Sequence, residues 1–472
     1  MNVLHISFSD LRGGAARAAF RLHQGLRRAG VDSRMLVREK ISDDPCVETA
    51  LPRHDPAQAS RERRMSAIQR RLIDAGRTPL SDTCFTLPYL GLSLLDLPPV
   101  RRADVLHLHW TAYFLNPLAA AELGRRKPVV WTLHDCHPMA GGCHYPAGCR
   151  EFLNECKTCP QLKTASKTLP RAVFADKAEA WSGFAPLVIA PSRWLADLAS
   201  ASPLLSRARV EHVPNGVDTD LFRLGARPAL KERLGLERGA FLVLHGADQG
   251  GEKRKGFAHL LRALESLQGT GAVLGLFGDM PEQETPIPAL PLGFVRDETR
   301  LSEIYGAADV FALPSLEDNL PNTMLEAMAC GTPVAAYATG GIPEAVRDRE
   351  TGRLAPAGDA PALGRVLWEL SRDPEALRAL GRKARETAEA EYSLERQARR
   401  MAALYASLAP DGSGVFPPRP SDGAEPAQRQ HTTVPDYAAS APFNRFLARY
   451  GRRAYPWHRF LDALDRFARP GR

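Results

Sequence analysis

No stretch of the 472 residues approaches the ~18 consecutive apolar positions that a membrane-spanning helix needs. The 37 glycines and 38 prolines are too few for a collagen-like or low-complexity chain, and 44% hydrophobic with 25% charged residues excludes a wholly disordered one. The opening MNVLHISFSD has no basic segment followed by an apolar block, so the expectation is a soluble cytoplasmic protein, not an exported one. A large charge imbalance is also missing from the body. The net charge is +8, and residues 443–472 hold eight Arg against two Asp. A nearly balanced body argues against a nucleic-acid groove, and a local basic tail suits an anionic surface.

What is present is alternation. Short Val/Leu/Ile runs recur between stretches of helical period, the pattern of βαβ units around parallel sheets. The runs Val3–Phe8, Ser33–Arg38, Val105–His109, Pro128–Leu133, Leu187–Ala190 and Val210–Val213 predict one sheet. Phe241–Gly246, Ala272–Phe277, Leu290–Phe294, Val310–Leu313 and Val334–Tyr337 predict a second. Several are apolar throughout, as strands buried on both faces are. The chain therefore divides into an α/β module at 1–214, a second at 215–392 and a helix at 393–409 that crosses back to the first. A Pro/Gly/Ser-rich linker at 410–440 and a basic amphipathic tail at 441–472 follow. The polar, basic stretch Arg61–Arg77 reads as an exposed helix.

Two motifs carry chemistry. After the first strand, Gly13-Gly14 opens a helix that closes at Gly30; a glycine turn lets backbone approach a ligand, and a helix N-terminus offers free N–H groups to an anion. In the second module, ADVFALPSLEDNLPNTMLEAMACGTPVAAYATGGIPEAV places a strand, an acidic loop, a helix, a strand and a Gly-Gly loop in order. Asp318 lies on the loop and Glu326 about one turn inside the helix that Asn322 and Thr323 begin. Two carboxylates at different depths of one cleft can grip a sugar and a ribose while the helix N-terminus holds a diphosphate between them.

This segment resembles the acidic signature of the retaining glycosyltransferases of family 4, which have the GT-B fold. Glu326-Ala327-Met328-Ala329, Cys330-Gly331-Thr332-Pro333 and Thr339-Gly340-Gly341-Ile342-Pro343-Glu344 carry the likeness. The first acidic position holds Asp318 with Glu317 beside it, where the family usually has Glu. The resemblance extends over residues 1–405. It implies two Rossmann-like, doubly wound modules facing across a cleft, and transfer of a sugar from a nucleotide-sugar to an acceptor hydroxyl with retention. Asp318 or Glu317 would take the sugar hydroxyls and Glu326 the ribose. His134, at the end of the VVWTL strand, would contact the transferred sugar. Lys255 would clamp the diphosphate, and Gly13 and Gly14 would approach it through backbone. Many relatives carry Arg after the strand's glycine where this chain has Ala247, so Lys253 or Arg254 would supply the second cation. Asp218-Thr219-Asp220 imitates a metal-binding DxD, but it sits in a turn resembling the family's inter-module turn; no catalytic metal is expected. A nucleotide-sugar 2-epimerase of the same architecture, or a binding subunit without chemistry, are the alternatives.

The run GGCHYPAGCREFLNECKTCPQL, within an insertion at 141–162, brings four thiols into twenty-two residues. Cys143, Cys149, Cys156 and Cys159 suffice for a tetrahedral structural zinc site; buried thiols, disulfides in an exported chain, or an iron–sulfur cluster are the other readings. The same run after His134-Asp135 is similar to glycosyltransferases of colanic-acid-type exopolysaccharide synthesis. That likeness implies a saccharide or lipid-linked saccharide acceptor in exopolysaccharide or lipopolysaccharide biosynthesis. Basic amphipathic helices in the tail would hold the chain peripherally on the anionic inner face of the plasma membrane.

Overall fold

The computed structural model describes residues 1–50, 69–70, 73–87, 94–163, 169–237, 239–248 and 250–408. The linker and basic tail expected beyond residue 409 lie outside the described residues, as does most of the stretch expected as an exposed helix at 61–77. The end of that stretch is packed instead. Ile73 is fully buried, and the Arg77 guanidinium donates to the carbonyls of Ser81 and Thr83 at 2.7 and 2.9 Å. Polarity around Ile73 masked its role as an anchor.

The first sheet has seven parallel strands: β1 (Asn2–Ser9), β2 (Asp32–Glu39), β3 (Val47–Thr49), β4 (Val105–Leu108), β5 (Val129–Thr132), β6 (Leu187–Ala190) and β7 (Arg209–His212). Their spatial order is β3-β2-β1-β4-β5-β6-β7. The second sheet comprises β8 (Phe241–Ala247), β9 (Ala272–Gly278), β10 (Ala289–Gly293), β11 (Val310–Leu313), β12 (Val334–Tyr337) and β13 (Gly352–Ala355), in the order β10-β9-β8-β11-β12-β13. Both sheets are all-parallel and reverse direction of winding at their first strand, so each has a crevice at the carboxyl ends of its central strands. Every expected strand is present. The two that sequence reading passed over, β3 and β13, are edge strands of three and four residues with little apolar pattern.

The helix Gly14–Arg28 covers one face of the first sheet through Ala16, Ala19, Leu22 and Leu26, and ends where Gly30 takes a positive φ of 80°. The C-terminal helix Leu394–Ala406 packs beside it. Ala398, Met401, Leu404 and Tyr405 join Val3, Leu22 and Leu26 in one core cluster. Tyr405 reaches the sheet interior, its hydroxyl 2.6 Å from Nδ1 of His107. The chain therefore crosses between the two sheets twice, and the crossings pair: the Val217 N–H donates to Tyr392 O and the Leu394 N–H to Val217 O.

Gly25 marks the closest approach of these two helices. A Cβ there would lie 2.9 Å from Leu394 Cγ and 3.3 Å from Ala398 Cβ. Gly25→Leu should therefore overpack the contact and destabilise the fold by about 1–3 kcal/mol, lowering the melting temperature in calorimetry. An unchanged melting temperature would show that the two helices are not packed as described.

Candidate active site

Strand β11 delivers the loop 314–321 to the cleft, and the helix Asn322–Ala329 follows with no side-chain cap on its N-terminus. Asp318 is buried in this loop, 5% exposed, and surrounded by donors. Its Oδ2 meets Lys255 Nζ at 2.8 Å, Ser315 Oγ at 3.3 Å and Arg254 Nη1 at 3.4 Å. Its Oδ1 accepts the Asn319 N–H at 3.1 Å. Burial pushes this carboxyl up, but Lys255 and Arg254 overrule it and hold the pKa below the usual aspartate value. Glu317 points elsewhere. Its Oε2 accepts the Ala147 N–H at 2.9 Å, and burial raises its pKa with Arg254 opposing. The two neighbouring acids thus differ in kind: Asp318 faces the cations, Glu317 the insertion.

Glycines make this arrangement possible. At Gly256, with φ of 73°, a Cβ would collide with the carbonyl of Pro314; at Gly340, with φ of 56°, it would collide with the carbonyl of Asp318. The Lys255-Gly256 turn and the Thr339–Gly341 loop thereby press against the acidic loop from two sides. Of the two candidates for a second cation, Arg254 joins the site and Lys253 does not. Arg254 stacks over the Tyr145 ring at 4.1 Å. Lys253 turns to the first module, its amide donating to Asp82 and its ammonium to Pro79 O at 2.9 Å.

Glu326, 3% exposed, lies deeper than Asp318. Its Oε1 pairs with Arg21 Nη1 at 2.7 Å and its Oε2 accepts the Tyr305 hydroxyl at 2.8 Å. Arg21 belongs to the helix after the Gly-Gly turn and also bonds Glu298 at 2.7 Å; these two acids keep it charged against the burial that opposes it. The same two elements meet again at Asn322, whose Nδ2 donates to Gly14 O at 2.8 Å. Gly13 takes a φ of 87° with open space around it. Thr323 is half-buried at the helix start.

On the first module, His134 follows β5, and its backbone carbonyl accepts Asn319 Nδ2 at 3.4 Å. Its ring leads a chain of imidazoles inward: His134 Nε2 lies 3.1 Å from His109 Nδ1, and His109 Nε2 lies 2.9 Å from His5 Nδ1. Burial lowers the His134 pKa to about 4, with Asp135 opposing. Asp135 does not orient His134. It is buried against His144 at 2.6 Å, Trp110 Nε1 at 2.8 Å and the His137 N–H, and it raises His144 to about 10 in spite of burial.

Among the described residues, His5, His107 and His109 form the one group of three or more metal-ligand side chains with ligand atoms within 4.8 Å of one another. Their nitrogens are already bonded. His107 uses Nδ1 on Tyr405 and Nε2 on the Thr132 hydroxyl, His109 uses both on His5 and His134, and only His5 Nε2 is unpartnered. The trio is a neutral hydrogen-bonded network. Cys143, Cys149, Cys156 and Cys159 line one small cavity with Phe85 and Phe152, all four thiols raised by burial. Asp218 of the DxD pairs with Arg28 at 2.6 Å and accepts the N–H groups of Asp220 and Leu221, a turn-forming role. Sequence reasoning missed Arg21, Tyr145, Tyr305, His109 and Asn319.

Residues 12–221 match the family described as Glycosyltransferase Family 4, and residues 242–373 the one described as Glycosyl transferases group 1. The D-inositol 3-phosphate glycosyltransferase of Saccharomonospora viridis is 33% identical over 77% of this chain and 82% of its own length. The putative colanic acid biosynthesis glycosyl transferase WcaC of Escherichia coli is 26% identical over 71% of this chain and 83% of its own. With the D-inositol 3-phosphate glycosyltransferase of Mycobacteroides abscessus, 36% identical, the match spans 34% of this chain and 39% of that relative's length. The crystal structure of Anabaena HepE in complex with UDP-glucose has a TM-score of 0.61 at 18% identity, covering 86% of this chain and all of that one. That likeness shows the fold, GT-B.

The buried histidines give the chain a pH signature. His134, His23 and His245 protonate in the folded state only near pH 4, against an ordinary 6.5, and His5, His107 and His109 are lowered too, in each case first by burial. The unfolded chain takes up these protons near 6.5, so the stability held by neutral rings is full above 6.5 and lost as pH falls toward 4. His144 has the opposite sign: its contribution is full below 6.5 and is lost as pH rises toward 10. The melting temperature should fall steadily from pH 6.5 to about 4.5 in scanning calorimetry. A flat profile over that window would contradict the neutral network.

Proposed function

Because the chain belongs to glycosyltransferase family 4, we propose that it moves a hexose from a nucleotide-sugar to a saccharide or lipid-linked saccharide acceptor, with retention, in exopolysaccharide or lipopolysaccharide synthesis. The observation that carries this reading is the Lys255–Arg254–Asp318 cluster beside the uncapped helix at Asn322. A diphosphate bound beside these two cations and the helix N-terminus would have its charge answered by them. With a donor present, the diphosphate competes with Asp318 for Lys255, and the freed carboxylate oxygens accept sugar hydroxyls. Each oxygen of Glu326 keeps a second lone pair beyond Arg21 and Tyr305, enough for ribose hydroxyls. His134, uncharged at neutral pH, contacts the transferred sugar without repelling the Lys255 ammonium.

Asp318 is held by two cations and is poorly placed as a nucleophile. A front-face route, in which a donor phosphate oxygen assists the acceptor's deprotonation, fits this electrostatics better. Residues 1–214 would form the acceptor side, 215–392 the donor side, and 393–409 the return crossing. No described helix is long and apolar enough to cross a membrane. The basic tail, outside the described residues, supports peripheral attachment at an anionic inner membrane face through its charge and apolar spacing alone.

Lys255→Ala should lower kcat/KM for transfer by about one to two orders of magnitude, matching a lost charge-assisted bond of ~1.5–3 kcal/mol. Its melting temperature should stay near wild type, since Lys255 is only half-buried. Asp318→Asn should damage transfer more than Glu317→Gln. Near-wild-type transfer by Lys255→Ala would remove the cluster from the site, and product formed without any acceptor would identify an epimerase instead.

A further inference from the structure

The helix Gly14–Arg28 carries four arginines, and three of them have an acid. Arg21 holds Glu298 and Glu326, Arg27 holds Asp44, and Arg28 holds Asp218. Arg17 holds none. Among the described residues its guanidinium makes no hydrogen bond and no ion pair, although the side chain is half-buried and its Nε fully so. The terminal nitrogens, equally without a partner, are the part that stays open. Enclosing a cation whose charge no protein group answers is costly, and a bound anion removes that cost.

Two contacts fix where Arg17 stands. Three residues before it, the Gly14 carbonyl accepts Asn322 Nδ2 at 2.8 Å; four residues after it, Arg21 reaches Glu326 at 2.7 Å. Residues three and four apart share a helix face, so Arg17 lies on the stripe turned toward the second module. Helical side chains lean toward the N-terminus of their own helix, which carries this guanidinium from the Glu326 side toward the Gly13-Gly14 turn. Opposite that turn, the helix Asn322–Ala329 begins with no side-chain cap. Glu298 and Glu326, the acids at this seam, are both taken by Arg21.

We propose that Arg17 binds the phosphate joined to the ribose of the nucleotide-sugar. The assignment deepens the donor-site reading above and rests on it. In that reading Glu326 takes the ribose, while Lys255 and Arg254 answer the diphosphate beside Asp318. Glu326 is tied to Arg21, one turn along the helix from Arg17. Arg17 therefore serves the ribose end of the diphosphate and Lys255 the sugar end. The two terminal nitrogens of a guanidinium can donate side by side to one phosphoryl group, which a single ammonium does not match. Because the Nε end is already enclosed, Arg17 loses less side-chain freedom on binding than a fully exposed arginine.

Calorimetric titration of the full chain with UMP and UDP, GMP and GDP, and AMP and ADP tests this, on the base that the wild type binds best. Arg17→Ala should weaken monophosphate and diphosphate alike by about ten- to a hundredfold, the worth of a charge-assisted bond. Lys255→Ala should weaken the diphosphate and leave the monophosphate unchanged, because a monophosphate has only the ribose-linked group. Arg17→Lys should recover part of the loss, as a point charge without the fork. Unliganded Arg17→Ala should melt with the wild type, since no protein partner is removed, and this separates lost binding from lost folding. Equal monophosphate affinity in Arg17→Ala and wild type would overturn the assignment; if Lys255→Ala still loses the diphosphate, the donor-site reading survives. A loss confined to the diphosphate would place Arg17 at the sugar end and overturn the assignment as well. A wild-type chain that binds none of these nucleotides would overturn both.

Discussion

The Arg21–Glu326 pair decides how the two modules face each other. Both side chains are almost fully buried, at 3% and 4% exposure, and come from helices of different sheets. A guanidinium in such a place persists only with its charge answered, and Arg21 has Glu326 on one side, Glu298 on another and the Phe222 ring at 5.1 Å. Breaking a buried pair by removing one member typically costs ~3–5 kcal/mol because the other charge is stranded. The pairing therefore fixes the distance from the Gly13-Gly14 turn to the helix beginning at Asn322. Those two backbone features form the walls of the cleft.

Around that seam, the second module reaches into the first with carboxylates and amides. Glu344 accepts the N–H groups of Arg193 and Trp194 at the start of the helix Arg193–Ala201, doing for a neighbouring module what a capping residue does within a helix. Asn319 bonds the Ser192 hydroxyl at 2.6 Å and the carbonyl of Leu133. Acids at the cleft are thus divided by environment. Asp318 sits among cations at a depressed pKa, Glu317 at a raised one, and Glu326 is held by Arg21 and a tyrosine. A polyanionic ligand entering there would trade contacts with groups already charged and oriented, which limits reorganisation on binding.

Much of this architecture is legible in the sequence. The buried parallel strands announce themselves as unbroken apolar runs; Lys255, Asp318 and His134 follow strands where α/β folds place ligands, and Glu326 lies one turn inside the helix that follows. The colanic-acid likeness is carried by the same Cys-His-Tyr run that crosses the cleft. What could not be read are partners distant in sequence. Arg21 looks like one more basic residue on an amphipathic helix, and nothing local ties it to Glu298 or Glu326 some three hundred residues away. The hydroxyl contacts of Tyr145 and Tyr305 arise only from tertiary packing. Edge strands β3 and β13 are short enough that their pairing, not their composition, defines them.

Under the proposed function, the cleft binds a nucleotide-sugar through its diphosphate. A thermal-shift panel of UDP-, GDP- and ADP-sugars tests it most directly, because a ligand that binds only the folded chain stabilises it by about 2.7 kcal/mol at a hundred times its Kd. At least one donor should raise the melting temperature of the wild-type chain, and the matching nucleoside monophosphate should do so less. No shift with any nucleotide-sugar at millimolar concentration would contradict the account.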